Sequence, residues 1–174
     1  MKDFKELDKR NVHEVEESIL NEWKKQDILN KCIDSRKENW VFYDGPIYAN
    51  AKPGIHHVLA KAIKDSFCKY KTMQGYRVER KIGLDTHGLP IEVNVEKKLG
   101  FKTKADIEEF GVENFCKECN KATAINIDEI NNVTDMMGQF IDCEHPYVTC
   151  SNEFIESEWW IIKEMDKKGL IYHG

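Results

Sequence analysis

The stretch that decides the fold runs from residue 40 to residue 59 and reads WVFYDGPIYANAKPGIHHVL. Its first four residues, Trp40 to Tyr43, are aromatic or β-branched, which is typical of a buried strand. The Asp-Gly-Pro turn at residues 44 to 46 ends that strand. A periodic apolar pattern then begins near His56 and predicts a helix that ends near Gly75.

One face of this helix carries seven apolar side chains, which we expect to pack inward. They are Ile55, Val58, Leu59, Ala62, Ile63, Phe67 and Tyr70. Residues 76 to 83 predict a second strand with Val78 and Ile82 facing inward, and residues 91 to 99 predict a short helix that Gly100 ends. A strand, a helix and a strand at this spacing predict a βαβ unit and a parallel sheet.

Mostly helical segments flank this unit. Upstream, residues 12 to 31 predict an amphipathic helix that Asn11 caps. The downstream segments are a helix over residues 104–118, a helix over 122–137, a connection over 142–150 with Pro146 as a breaker, a helix from Ser151 to Gly169, and a strand that begins at Leu170.

Composition and charge narrow the class of protein. Hydrophobic residues make up 41% of the 174 residues and charged residues 33%, which is ordinary for a globular domain. No apolar run reaches the roughly 20 residues of a membrane span, and the first residues carry no signal-peptide pattern, so the cytoplasm is the expected location. A net charge of -5 argues against a chain that grips nucleic acid alone.

The six cysteines are expected to be reduced thiols. Cys116 and Cys119 form the only close pair, and a zinc finger would need a second pair at similar spacing. We therefore predict no metal bound by this segment.

The loop between the first strand and the helix could hold an anion. A helix N-terminus favours negative charge, His56 and His57 add donors, and Gly54 lets a ligand approach the backbone closely. Neither a Walker motif nor a dinucleotide fingerprint occurs. The residues alone therefore leave two alternatives, an anion site or a pair of surface histidines.

A second constellation, GLDTHGLPIE at residues 83 to 92, follows the second strand. Ligands of open α/β sheets bind outside the carboxyl ends of the strands, and Asp85 there could pair with an ammonium group. Taken alone, the same residues also fit an ordinary turn with a capping aspartate.

In this order, the segments resemble class I aminoacyl-tRNA synthetases, and the isoleucyl enzymes in particular. The resembling segments also include YKTMQGY at 70–76, DTHGLP at 85–90, EKKLG at 96–100, ESEWW at 156–160 and KGLIY at 168–172. The leucyl and valyl relatives share the architecture but have other sequences at the DTHGLP position.

The resemblance implies an α/β chain that holds the first half of a Rossmann-like nucleotide-binding fold. We expect a helical N-terminal extension over residues 1–38, the first half of the catalytic domain over 39–142, and a helix with the start of the connective insertion over 143–174. The second family signature, Lys-Met-Ser-Lys-Ser, does not occur. Such a half fold is expected to leave an open sheet edge and uncovered apolar surface.

The resemblance also implies roles for individual residues. The family signature His-x-Gly-His aligns with Gly54-Ile55-His56-His57, in which the first and third residues are exchanged. The implied catalytic residues are His56 and His57; the implied ATP-binding residues are these two with Asn50 and Gly54; and the implied amino-acid-binding residues are Gly45, Pro46, Asp85, His87 and Gly88. The implied substrates are ATP with Mg²⁺, isoleucine and tRNA, and the other half of the catalytic domain is an expected partner.

Three positions depart from the family pattern. Leu84 stands where tryptophan is usual, and Ile47 and Ala51 replace a small or proline residue and a glycine. These departures leave a second interpretation open, a non-catalytic or inactive nucleotide-binding or interaction domain derived from a synthetase. The retained pocket and signature residues favour the ligase.

Overall fold

A computed structural model describes residues 11–174, so the first ten residues of the expected N-terminal extension lie outside the described part. The described residues form seven helices and three strands. They are α1 (Val12–Lys25), α2 (Ile28–Asp34), β1 (Ile47–Tyr48), α3 (Ile55–Met73), β2 (Lys81–Asp85), α4 (Leu89–Leu99), α5 (Lys104–Phe110), α6 (Val112–Met136), β3 (Asp142–Val148) and α7 (Asn152–Lys167). None of the helices among these residues is long and apolar enough to cross a membrane.

The three strands form one parallel sheet in the order β1-β2-β3. Ile47 pairs with Leu84, Tyr48 pairs with Asp85, and Leu84 pairs on its other side with Val148. Because β1, α3 and β2 follow one another as a parallel crossover, the predicted βαβ unit and the α/β class are confirmed.

The first strand lies further along the chain than the sequence predicts. Residues 40 to 43 form no strand, although Trp40 N–H donates to Arg77 O at 2.9 Å. Beyond them, the Asp44 carboxylate accepts a backbone N–H of β2 at 3.4 Å, and Pro46 has no N–H to donate. The prediction of a buried strand at this point was wrong, and Tyr43 is 89% exposed.

The third strand replaces a predicted connection. Lys81 pairs with Asp142 and Gly83 pairs with Tyr147, so β3 carries extra residues in an irregular ladder. Pro146 lies within this irregularity on an edge strand, where its missing N–H breaks no regular ladder bond. Proline was therefore a misleading sign of a break in the strand.

Helix breaks also differ from the sequence-based prediction. The predicted single helix after Asn11 is interrupted at Asp27, which has a left-handed φ of 50°. The two downstream helices meet at Gly111, with φ 93°, and not near residue 120. Residues 170 to 172 form no strand.

The predicted caps are confirmed. The Asn11 side chain accepts from His13 N–H, and the Ser151 hydroxyl accepts from Phe154 N–H. Gly100 ends α4 in the left-handed conformation with φ 78°.

The core lies between the sheet and α6. Val78 and Ile82 are buried, as predicted. The central cluster consists of Ile47, Ala49, Ile82, Leu84, Ile130 and Ile141.

Helix α3 does not bury its predicted apolar face. Five of the seven side chains of that face are more than half exposed, namely Ile55, Leu59, Ile63, Phe67 and Tyr70. The side chains that α3 buries are Lys61, Cys68 and Thr72. Trp159 and Trp160 of α7 are exposed as well. The inward orientation of the face was wrong, whereas the expectation of uncovered apolar surface is confirmed.

Gly83 permits close contact between β2 and β3. A Cβ at this position would overlap the ring and hydroxyl of Tyr147, which bonds to Asp44 O and stacks on Phe154. We expect Gly83→Ala to lower the free energy of unfolding by about 2 kcal/mol, the usual cost of overpacking. Urea denaturation measures this. In a Tyr147→Ala background the same substitution should cost much less, and equal costs in both backgrounds would rule out the overlap.

Candidate functional site

Polar groups converge at the carboxyl edge of the sheet, where the three strands end side by side. Ala49 N–H donates to Asp85 O at 2.8 Å, and Thr149 N–H donates to Leu84 O at 3.1 Å. The backbone segments of the three strands therefore remain hydrogen-bonded for one residue beyond the regular ladder. Asp85, the last residue of β2, lies at the edge where ligands of open α/β sheets bind.

The Thr149 hydroxyl lies at the centre of this edge. It accepts from Thr86 N–H at 3.0 Å and lies 2.8 Å from His87 Nδ1 and 3.4 Å from Asp85 Oδ1. Thr149 is buried, while His87 is exposed and Asp85 half-buried. Contacts with the Thr149 hydroxyl therefore link two predicted site residues, Asp85 and His87, and sequence analysis did not identify Thr149. No signal could have found Thr149, since its strand was taken for a connection.

Tyr48 ties β1 to the loop after β2. Its hydroxyl donates to His87 O at 2.9 Å, and burial together with the nearby Asp85 charge raises its pKa, so the donor keeps its proton. Gly88 has a φ of 99°, which favours glycine, and a Cβ there would lie 3.3 Å from the Tyr48 hydroxyl. Gly88 therefore shapes this edge of the sheet.

The second group of predicted residues forms the N-terminus of α3. Gly54 N–H donates to His57 Nδ1 at 3.0 Å, and the rings of His56 and His57 lie 3.9 Å apart between centroids. A Cβ on Gly54 would lie 2.8 Å from His56 Cε1, so glycine leaves room for that ring. Among residues 11–174, no side-chain hydrogen bond joins these histidines to Asp85 or His87.

The remaining predicted residues lie on either side of β1. Gly45 and Pro46 precede the strand and are exposed, and a Cβ on Gly45 would meet open space. Asn50 follows the strand, and its backbone oxygen accepts from Asn94 Nδ2 at 2.9 Å. The adjacent Ala49 O accepts from Asn126 Nδ2 at 2.9 Å, so α4 and α6 hold the loop that leads to α3.

Two lysines of α3 approach the segment that precedes β1. Lys64 Nζ pairs with the buried carboxylate of Asp44, whose charge also acts on Lys61. Lys61 is 3% exposed, and its Nζ donates to Gln139 Oε1 at 3.2 Å. Burial lowers the pKa of Lys61, and Asp44 opposes that effect.

The described part of the chain contains no group of three or more His, Cys, Asp and Glu side chains placed to hold a metal ion. All six cysteines are free thiols.

His57 is held in its neutral form. Burial has the largest effect in lowering the pKa of His57, and the neighbouring His56 and Lys61 lower it further. Its Nδ1 accepts a hydrogen bond, which a protonated ring could not do, so the proton lies on Nε2. The Nε2–H group is then the donor that His57 can offer to a ligand.

This arrangement predicts a pH dependence of stability. The unfolded chain takes up a proton on this histidine below about pH 6.5, while folded His57 resists it until a lower pH. The contribution of His57 to the free energy of unfolding should be fully present above about pH 6.5. It should be lost as the pH falls toward the lowered pKa that His57 has in the folded chain. Between pH 8 and pH 5, urea denaturation should show a smaller decrease in the free energy of unfolding for His57→Gln than for the wild type. An NMR midpoint for His57 at or above 6.5 would refute this prediction.

Comparison with known proteins identifies the family that this chain matches. Residues 18–174 match the family of tRNA synthetases class I (I, L, M and V). The chain is 45% identical over 174 residues to the isoleucine–tRNA ligase of Porphyromonas gingivalis and 43% identical over 176 residues to that of Bacteroides thetaiotaomicron. It is 43% identical over 174 residues to that of Clostridium kluyveri.

These alignments cover 98% to 99% of this chain but only 15% to 17% of each relative, so the chain spans about a sixth of their length. Among solved structures, a ternary complex of LeuRS, tRNA and LeuAMS from Agrobacterium radiobacter K84 superposes with a TM-score of 0.67. That match covers 90% of this chain and 18% of the other at 19% identity, and it supports the fold.

Proposed function

This chain belongs to the class I tRNA synthetases of the isoleucine, leucine, methionine and valine group, and on that premise we propose that it carries the ATP and isoleucine sites of an isoleucine–tRNA ligase. The observation that carries the proposal is the 45% identity to an isoleucine–tRNA ligase over 98% of the chain. The convergence of polar groups at the carboxyl edge of the sheet supports it, since that edge is where such folds bind ligands.

The amino acid would bind beside the ends of β1 and β2. Asp85 would accept from its α-ammonium group, because a half-buried carboxylate at a strand end attracts a cation more strongly than one in water. Gly45 and Pro46 would line the side-chain pocket, where the open space beside Gly45 leaves room for an aliphatic group. His87 and Gly88 would shape the opposite wall.

ATP would bind at the N-terminus of α3. The backbone N–H groups of the first turn and the helix dipole favour phosphate oxygens. His57 would offer its Nε2–H, and His56, whose ring lies beside it, would take the place of the first histidine of the family signature. Asn50 and Gly54 would border the nucleotide, and Mg²⁺ would arrive on the phosphates as part of the substrate.

In the proposed reaction the isoleucine carboxylate attacks the α-phosphorus of ATP, a new P–O bond forms, and pyrophosphate leaves. The carboxylate is already ionised, so this step needs no general base. The side chains would align the reactants and stabilise charge on the phosphates. The ribose of tRNA would then accept the aminoacyl group and AMP would leave. Protein synthesis in the cytoplasm is the process that this reaction serves.

Isoleucine-dependent exchange of labelled pyrophosphate into ATP tests the proposal directly. Because the second family signature does not occur in this sequence, we expect ATP binding with weak exchange in the wild-type chain, and loss of that exchange in both His57→Ala and Asp85→Ala. His145→Ala is a matched control, because His145 is exposed and pairs with Asp142 at the opposite end of β3.

Saturable ATP binding that His57→Ala removes, without exchange, would restrict the proposal to a nucleotide site. A chain that neither exchanges nor binds ATP would refute it. The alternative of a non-catalytic interaction domain would then be the better account.

A further inference from the structure

The Thr149 hydroxyl has more possible acceptors within reach than it has protons to donate. The hydroxyl accepts from Thr86 N–H at 3.0 Å and has one proton of its own. Among the described residues, three possible acceptors lie within 3.4 Å of the hydroxyl oxygen: His87 Nδ1 at 2.8 Å, Asp85 Oδ1 at 3.4 Å and Thr86 Oγ1 at 3.4 Å. It can be donated to only one of them at a time.

We propose that Thr149 is a positioning residue that holds His87 in the Nε2–H tautomer and leaves the Asp85 carboxylate free to accept from the ammonium group of the amino acid. The second half of this inference rests on the proposed function. Thr149 itself touches no substrate in this scheme and acts through its two neighbours.

The distances decide which acceptor receives the proton. A hydroxyl donor is well placed at about 2.7 to 2.8 Å and contributes little at 3.4 Å. The proposal therefore assigns the Thr149 proton to His87 Nδ1, the nearer partner, and in a neutral imidazole the remaining proton must then lie on Nε2. The reverse bond, from Nδ1–H to Thr149 Oγ1, would require the other tautomer, which is the property that the experiment below measures. Since His87 is exposed, its Nε2–H is a donor available at the mouth of the site.

Donation of the Thr149 proton to His87 also leaves the Asp85 carboxylate able to accept from a ligand. Within residues 11–174, the hydrogen-bond contact of Oδ1 is the weak one at 3.4 Å with Thr149, while the backbone oxygen accepts from Ala49 N–H. The carboxylate consequently keeps its capacity to accept from a ligand. The Tyr48 hydroxyl bonds to His87 O and so restrains the backbone of the same loop, which keeps the imidazole within reach of Thr149.

A purely structural role for Thr149 can be separated from this one. Thr86 and Thr149 join the ends of β2 and β3 reciprocally, since Thr86 N–H donates to Thr149 Oγ1 and Cys150 N–H donates to Thr86 Oγ1 at 3.1 Å. Both threonines are buried. Thr86→Val removes the bond from Cys150 N–H and the long 3.4 Å contact with Thr149 Oγ1, but it leaves the contacts of Thr149 with His87 and Asp85 in place. It is therefore the matched control for Thr149→Val.

The experiment measures two properties in the wild type, Thr149→Val, Thr149→Ser and Thr86→Val. The first is the His87 tautomer, read from the ¹⁵N shifts of the imidazole at pH 8.5 without ligand. The second is the affinity for isoleucine by calorimetry. We expect Nε2–H in the wild type, a shift toward Nδ1–H in Thr149→Val, and an affinity lower by about 10-fold, on the order of one lost hydrogen bond. Thr149→Ser should restore both properties, and Thr86→Val should change neither although it is similarly destabilised.

Several results would overturn the inference. One is a wild-type chain whose His87 carries its proton on Nδ1, a result that needs no variant to fold. Others are an unchanged tautomer in folded Thr149→Val, or equal losses of affinity in Thr149→Val and Thr86→Val. A wild-type chain that binds no isoleucine would instead refute the proposed function, and the ligand-free tautomer measurement would still decide the role of Thr149.

Discussion

Replacing Asp44 with alanine is expected to lower the free energy of unfolding by about 3 kcal/mol, the low end of the cost of breaking a buried ion pair. The Asp44 side chain is 1% exposed, and its partner Lys64 is 30% exposed, so part of the lysine charge can return to water. The substitution also removes the long 3.4 Å contact that Asp44 Oδ2 accepts from Gly83 N–H, which adds a small further loss.

A second lysine makes this loss larger. Lys61 is almost fully buried, and Asp44 is the main charge that opposes the lowering of its pKa by burial. Without Asp44, Lys61 would have to stay charged at greater cost or lose its proton. Lys61→Met should therefore recover part of the stability in the Asp44→Ala background.

Urea denaturation of the single and double variants measures these terms. Asp44→Asn keeps a hydrogen-bond acceptor for Gly83 and should cost less than Asp44→Ala. If Lys61→Met is as unfavourable in the Asp44→Ala background as in the wild type, the two residues are not coupled through charge.

Replacing Asp85 with asparagine should lower the affinity for isoleucine about 100-fold, within the usual cost of truncating one side of a buried charge pair. Stability should change little, because the only side-chain bond of Asp85 among the described residues is the 3.4 Å contact from Thr149. The two effects separate binding from folding. Calorimetric titration with isoleucine and thermal melting of the same samples measure them.

A ligand without the ammonium group provides the control. The 2-hydroxy analogue of isoleucine should bind the wild-type chain far more weakly than isoleucine does, and Asp85→Asn should bind both about equally. If Asp85→Asn still prefers isoleucine by the wild-type ratio, Asp85 does not recognise the ammonium group.

Several features of the fold followed from local chemistry in the sequence. The caps at Asn11 and Ser151, the left-handed end of α4 at Gly100 and the helix that begins at the Gly54 turn all depend on residues close together in the chain. The βαβ order and the parallel sheet followed from the lengths of these segments. Local hydrogen bonds and backbone preferences are short-range, and for that reason the sequence could predict them.

The tertiary structure alone decided which surfaces meet. Periodicity identified the apolar stripe of α3, but the buried side of that helix carries Lys61, whose charged form is stabilised by Asp44 from another segment. Pro146 signalled a break, yet β2 supplies a partner that accommodates it in an irregular edge strand. Thr149 reaches His87 and Asp85 only because that strand pairs with β2, 60 residues and more away in the chain. The energies of such contacts depend on long-range partners, which a pattern in one segment does not contain.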